Sequence, residues 1–131
     1  NPKKTLLSGV PNSLPALVKA YRMQQKAKQV GFEWENVEDV KKKLDEELQE
    51  LKEAIGKEGN QHNIEEEFGD VLFSLINYGR FLHIDPESAL ERVNKKFKKR
   101  IGYIEKNASK PLIDMTLGEM DTLWDEAKEL E

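Results

Sequence analysis

Apolar residues in this chain recur every three or four positions in five separate segments, and no segment sustains the every-second-residue alternation of a half-buried strand. That spacing lines them along one side of a helix. The pattern therefore predicts an all-α fold, with four or five helices in a bundle. The first stripe is Leu14, Leu17, Val18 and Tyr21, with Ser13 as a candidate cap, Pro15 tolerated in the first turn and Gly31 placed to end the helix. A second helix is expected over residues 37–55, with Leu44, Leu48, Leu51 and Ile55 on one face and Gly56 and Gly59 breaking it. A third spans about 64–82, striped by Ile64, Phe68, Val71 and Leu75. Asp85 and Pro86 read as a cap and a first helical position, opening a fourth helix to about residue 106 through Leu90, Val93, Phe97, Ile101 and Ile104. Thr116 and Glu119 have capping-box spacing for a last helix holding Met120, Leu123, Trp124 and Ala127.

The 131 residues suit one helical domain over 1–131, with residues 1–12, which include Pro2, Gly9 and Pro11, as an extended lead-in. There is no cysteine, so disulfides and thiolate metal sites are excluded, and two histidines make a histidine zinc site a poor expectation. Any metal chemistry must rest on carboxylates, which suit hard ions such as Mg2+ or Mn2+. A net charge of −4 gives no reason to expect nucleic-acid binding. No apolar run reaches membrane-spanning length and no signal-peptide pattern opens the chain, so a cytoplasmic protein is expected. The first residue is Asn1 rather than Met, which suggests a processed chain or part of a longer one.

The second and third helices share a pattern offset by twenty positions. Leu44, Glu46, Glu47, Leu48, Glu50, Leu51 and Ile55 match Ile64, Glu66, Glu67, Phe68, Asp70, Val71 and Leu75 in residue class. At about 100° per residue, Glu47 lies about 60° from Leu44, and Glu50 about 60° further round on the same side. Glu67 and Asp70 hold the same phases relative to Ile64. Residues three apart are neighbours on a helix, so each helix presents a carboxylate pair on the shoulder of its stripe. If the helices pack antiparallel, the pairs face each other, and their repulsion is relieved by a divalent cation. A lone E-x-x-E on a helix is ordinarily solvated surface; two pairs in phase beside the core argue otherwise. Glu46 and Glu66 point further out, although Glu46 is placed to orient a metal-bound water.

Lys96 and Arg100 are neighbours on the fourth helix, at about 240° and 280° from Leu90. They are better placed than Lys95, Lys98 and Lys99 to meet a polyphosphate, arginine as a bidentate fork and lysine as a point charge. Trp124 has two readings, core packing or a stacking surface for a base, and Phe32 and Trp34 are read first as core or interface. His83 reads as a cap or surface residue. Neither a Ser-His-Asp arrangement nor a P-loop is present.

The run Glu46-Glu47-x-x-Glu50 followed by Glu67-Phe-Gly-Asp70 resembles the EExxE…ExxD signature of the MazG nucleoside triphosphate pyrophosphohydrolases. The likeness extends to Val10-Pro-Asn-Ser-Leu-Pro-Ala-Leu, Val30-Gly-Phe-Glu-Trp34, Ala89-Leu-Glu-Arg-Val-Asn-Lys-Lys-Phe97 and Glu119-Met-Asp-Thr-Leu-Trp124. It covers nearly the whole chain and is greatest to the C-terminal, catalytic half of two-domain MazG proteins. The resemblance implies an all-α fold, Mg2+ dependence (Mn2+ as a substitute), homodimers or larger homo-oligomers, and hydrolysis of (d)NTPs to (d)NMP and pyrophosphate, as in nucleotide-pool house-cleaning. On the acid pairs themselves, Glu46 or Glu47 is expected to orient or deprotonate the attacking water, and the resemblance assigns metal ligation to Glu47, Glu50, Glu67 and Asp70. It also assigns phosphate contact to Lys43, Lys96 and Arg100, and base contact to Trp124. One departure is Asn63, where some relatives carry lysine. A non-catalytic helical module and a narrow dUTPase- or dCTPase-like enzyme are the competing readings.

Overall fold

The computed structural model describes residues 4–57 and 60–131. Gly59, expected as a helix breaker, and Pro2 of the lead-in lie outside the described residues. Helix α1 spans Ala16–Gln29, α2 Val37–Ile55, α3 Gln61–Phe81, α4 Pro86–Asn107 and α5 Leu117–Glu129, with a 3-10 turn at Leu112–Asp114. Among the described residues there is no strand, so the fold is all-α.

Two local expectations are corrected. Residues 4–12 form successive turns rather than an extended lead-in: Ser8 donates to the Thr5 carbonyl through both its N–H and its hydroxyl, and Val10 N–H donates to Leu7. Burial of Val10 and the Gly9 and Pro11 beside it favour turning back over extension. Ser13 does not cap α1; Pro15 stands at the N-cap, with no side-chain hydrogen bond. Proline keeps the preceding residue out of the α region, so the helix starts too late for Ser13 to reach its first amides.

The other helix ends follow local chemistry. Asn36 Oδ1 accepts from Asp39 N–H at the start of α2. Asp85 Oδ1 accepts from Glu87 N–H at the start of α4. Thr116 and Glu119 form a reciprocal capping box on α5. After α1, Gly31 at φ 87 lets Phe32 N–H reach Ala27 and Gly31 N–H reach Lys28, a Schellman closure. The same two bonds close α3, from Ile84 to Gly79 and from His83 to Arg80, with His83 at φ 60.

The chain packs as two compact units, Asn1–Glu87 and Ser88–Glu131. In the first, α2 and α3 pair as a helical hairpin and α1 packs on α3. The buried seam of α2 is Val40, Leu44, Glu47 and Ala54, at spacings of four, three and seven. Leu48 and Ile55, expected on the core face, are 46% and 60% exposed. The repeat carries this seam onto α3, where Ile64, Glu67, Val71 and Ser74, each twenty positions on from Leu44, Glu47, Leu51 and Ala54, are half-buried. In the second unit, Ile104 of α4 and Ala127 of α5 are buried, Trp124 meets Phe97, and Tyr103 donates to Glu126.

Candidate functional site

The seam brings acids inward. Glu47 replaces an apolar residue in the buried line of α2, and its side chain is 8% exposed. Glu67 takes the matching place on α3, and Glu50 lies one turn beyond Glu47, at the solvent edge. One carboxylate oxygen from each of the three lies within 4.8 Å of the others. Sequence phase put Glu47 on the shoulder of the stripe. The structure puts it in the seam, because Val40 and Ala54 belong to the buried line and Leu48 and Ile55 do not.

These carboxylates lack the partners that burial demands. Lys43 Nζ bonds Glu47 Oε1 at 2.8 Å. Glu47 Oε2 and Glu67 Oε2 are buried with no hydrogen-bond partner among the described residues. Each such orphaned oxygen costs about 1–3 kcal/mol, and more when charged. The charge of Glu47 pushes the Glu50 carboxyl above its ordinary value, helped by lost solvent and by Glu67. Burial, then the charges of Glu47 and Glu66, pushes Asp70 upward as well. The Lys43 ammonium is held above its ordinary value by its hydrogen bond to Glu47. A closely spaced, all-oxygen, electron-rich cluster with two unsatisfied buried acceptors fits a hard divalent cation.

Asp70 lies one turn beyond Glu67, outside the group of three carboxylates, although it feels the field of Glu47. Glu46 is 55% exposed and reaches Lys43 only at 4.0 Å. Lys43 also lines an apolar groove of about 830 Å³ walled by Met23, Trp34 and Phe73, with Gln24 and Asn77 among its polar groups. Lys43 therefore touches both the acid cluster and the groove.

Sequence reading did not find the polar frame of that groove. Arg80, nearly buried, pairs with Glu33 at 2.8 Å and bonds Asn77 and Gln24. Gln24 in turn donates to the Phe73 carbonyl at 3.0 Å. Apart from Asn77, one turn before Arg80, these partners are 47 to 56 positions apart, so no helical periodicity pairs them. Only its place between Phe32 and Trp34 marked Glu33.

Lys96, Arg100 and Trp124 belong to the second unit. Lys96 is exposed. The Arg100 guanidinium carbon lies 4.9 Å from the Trp124 ring centroid, and Phe97 flanks the same ring at 5.8 Å. Trp124 thus packs within its own unit, against an aromatic and a cation. Arg100 also donates two hydrogen bonds to Glu131, a partner that spacing did not suggest.

Known proteins share this arrangement of sequence. The chain is 44% identical over 130 residues to the nucleoside triphosphate pyrophosphohydrolase/pyrophosphatase MazG of Thermotoga maritima, across 96% of this chain and 49% of that protein. It is 36% identical to the nucleoside triphosphate pyrophosphohydrolase of Escherichia coli K12, across 95% of this chain and 49% of that one. It is 47% identical to the uncharacterized protein YabN of Bacillus subtilis, across 98% of this chain and 27% of that one. The chain therefore spans about half the length of the first and second of these relatives. The family model for the MazG nucleotide pyrophosphohydrolase domain matches residues 35–103, from Glu35 through both acid-bearing helices to Tyr103. That match covers more than half of the 131 residues, and the chain belongs to the MazG nucleotide pyrophosphohydrolase domain family.

Proposed function

We propose that this chain hydrolyses nucleoside triphosphates to the monophosphate and pyrophosphate in the presence of Mg2+, with Mn2+ as a substitute. The observation that carries the reading is the trio Glu47, Glu50 and Glu67, with two buried carboxylate oxygens that no protein donor satisfies. Membership in a nucleotide pyrophosphohydrolase family supports a nucleotide substrate and a pyrophosphate product. Glu47, Glu50 and Glu67 would hold the ion, with Asp70 joining from one turn away. When bound, the ion supplies charge neutralisation at the phosphates and a more acidic water.

The remaining steps fall to the chain's own groups. Glu46, outside the trio and open to solvent, orients the attacking water and takes its proton, a role shared with Glu47. Water attacks the α-phosphorus, and the bond to the bridging oxygen of the β-phosphate breaks, so pyrophosphate leaves. Lys43, Lys96 and Arg100 stabilise charge on the phosphates. The groove beside Lys43 offers apolar walls to the nucleoside end, and Trp124 offers a stacking face. The exposed apolar residues of α2 and α3 support a homodimer or larger homo-oligomer. No helix of the described residues is long and apolar enough to cross a membrane, and a cytoplasmic location accords with nucleotide substrates.

The test is a panel of ribo- and deoxynucleoside triphosphates with and without Mg2+, scoring pyrophosphate against orthophosphate. Pyrophosphate release that needs Mg2+ and falls at least about 100-fold in Glu67→Gln is expected, since even outer-shell partners of metal ligands are worth up to about that. Undiminished turnover in Glu67→Gln overturns the metal assignment. Orthophosphate release overturns the cleavage position, and no turnover across the panel favours a non-catalytic module.

A further inference from the structure

Arg100 reaches from α4 to the α5 end of the second unit, where its Nε and Nη2 donate to Glu131 Oε1 and Oε2 at 2.9 and 2.8 Å. Two parallel bonds from one edge of a guanidinium are the geometry it offers to a carboxylate or a phosphate alike. The Arg100 side chain is only 11% exposed, with the Trp124 ring against its face. Little of the fork is therefore open to another anion while Glu131 holds it.

We propose that Glu131 is a built-in stand-in for a substrate phosphate: it keeps the Arg100 fork formed when no nucleotide is bound, and must give way when one binds. This rests on the assignment of Arg100 to the polyphosphate made above. Glu131 can leave at small structural expense. It lies beyond Glu129, the last residue of α5, so its side chain can turn away with the helix intact. Trp124 keeps the guanidinium in place after the exchange, since the ring attracts the cation whichever anion sits at its edge. Arg100, Lys99 and Lys96 all hold the Glu131 carboxyl below its ordinary value. Lys96 and Lys99 are already exposed, so the departure of this carboxylate frees the Arg100 fork for a polyanion.

Glu131 is accordingly a positioning residue that sets affinity and leaves the chemical step alone. The variant Glu131→Gln should bind inorganic tripolyphosphate about fivefold more tightly by titration calorimetry with Mg2+ present, the scale on which single exposed ion pairs act. Its KM for nucleoside triphosphate should fall by a similar factor, with kcat unchanged. Glu129→Gln removes the same charge two residues away from an exposed position and should behave as the unaltered chain. Glu131→Ala provides a second removal of the carboxylate. Tripolyphosphate affinity in Glu131→Gln and Glu131→Ala equal to or weaker than that of the unaltered chain overturns the proposal. An equal gain in Glu129→Gln overturns it too, as does absence of tripolyphosphate binding in every form. If binding tightens as expected but no form hydrolyses nucleotides, the stand-in holds and the proposed activity fails.

Discussion

His83 illustrates how a single residue can carry a local cost for the sake of a turn. It sits at φ 60, the sole positive φ among the described non-glycine residues, and its amide completes the closure of α3. A side chain in that region crowds its own backbone, whereas glycine does not. Replacing His83 by glycine should stabilise the chain by up to about 1 kcal/mol, read as a higher denaturation midpoint. A lower midpoint would show that the side chain contributes more than its strain. The role of His83 as a cap was legible from its place after an apolar run. The depth of Glu47 was not. Periodicity gives angles around a helix, and Leu48 and Ile55 pulled the apparent stripe toward themselves. Only the partner helix decides which side is buried, and α3 favours the line through Val40 and Ala54. Arg100 shows the same limit: its phase could be read, but the carboxylate it holds, 31 positions away, could not.

At the scale of elements, the helix borders were legible wherever a side chain makes the end. The α5 capping box is the clearest case, since two residues at fixed spacing satisfy each other's amides. Thr116→Ala should cost about 1 kcal/mol, seen in thermal or urea unfolding. Glu119 adds a pH dependence of known sign. Its carboxyl is held below its ordinary 4.5, first by the Thr116 backbone N–H and then by Lys110. A carboxylate depressed on folding stabilises the native state above its ordinary value, and that contribution is lost as pH falls through the depressed value. The gap in stability between the unaltered chain and Glu119→Gln should therefore be full at pH 7 and close on acidification below 4.5. A gap that widens in acid would contradict the assignment. Helix ends set by proline or by tertiary burial were less legible. Pro15 shifted the start of α1, and burial of Val10 folded back the segment before it.

For the whole molecule, the unburied apolar residues matter most. Leu48 and Ile55 on α2, and Phe68, Leu72 and Leu75 on α3, remain about half exposed. Apolar surface of that extent usually meets a partner. Light scattering at micromolar protein should give a mass at least twice that of one chain, and Leu48→Glu with Phe68→Glu should lower it. A single-chain mass for the unaltered protein would remove the oligomer. The all-α architecture was fully legible, because spacing alone distinguishes helix from strand, whereas the groove and its Arg80–Glu33 frame needed the folded chain. The two unsatisfied oxygens of Glu47 and Glu67 have a further consequence. They are a point of frustration, where folding and activity ask for different residues. A leucine at either place would give a sturdier hairpin, so under the proposed function selection for hydrolysis is what would keep the acids there. In copies of this domain freed from that selection, positions 47 and 67 should be the first to drift toward aliphatic residues, and those copies should melt higher as they fall silent.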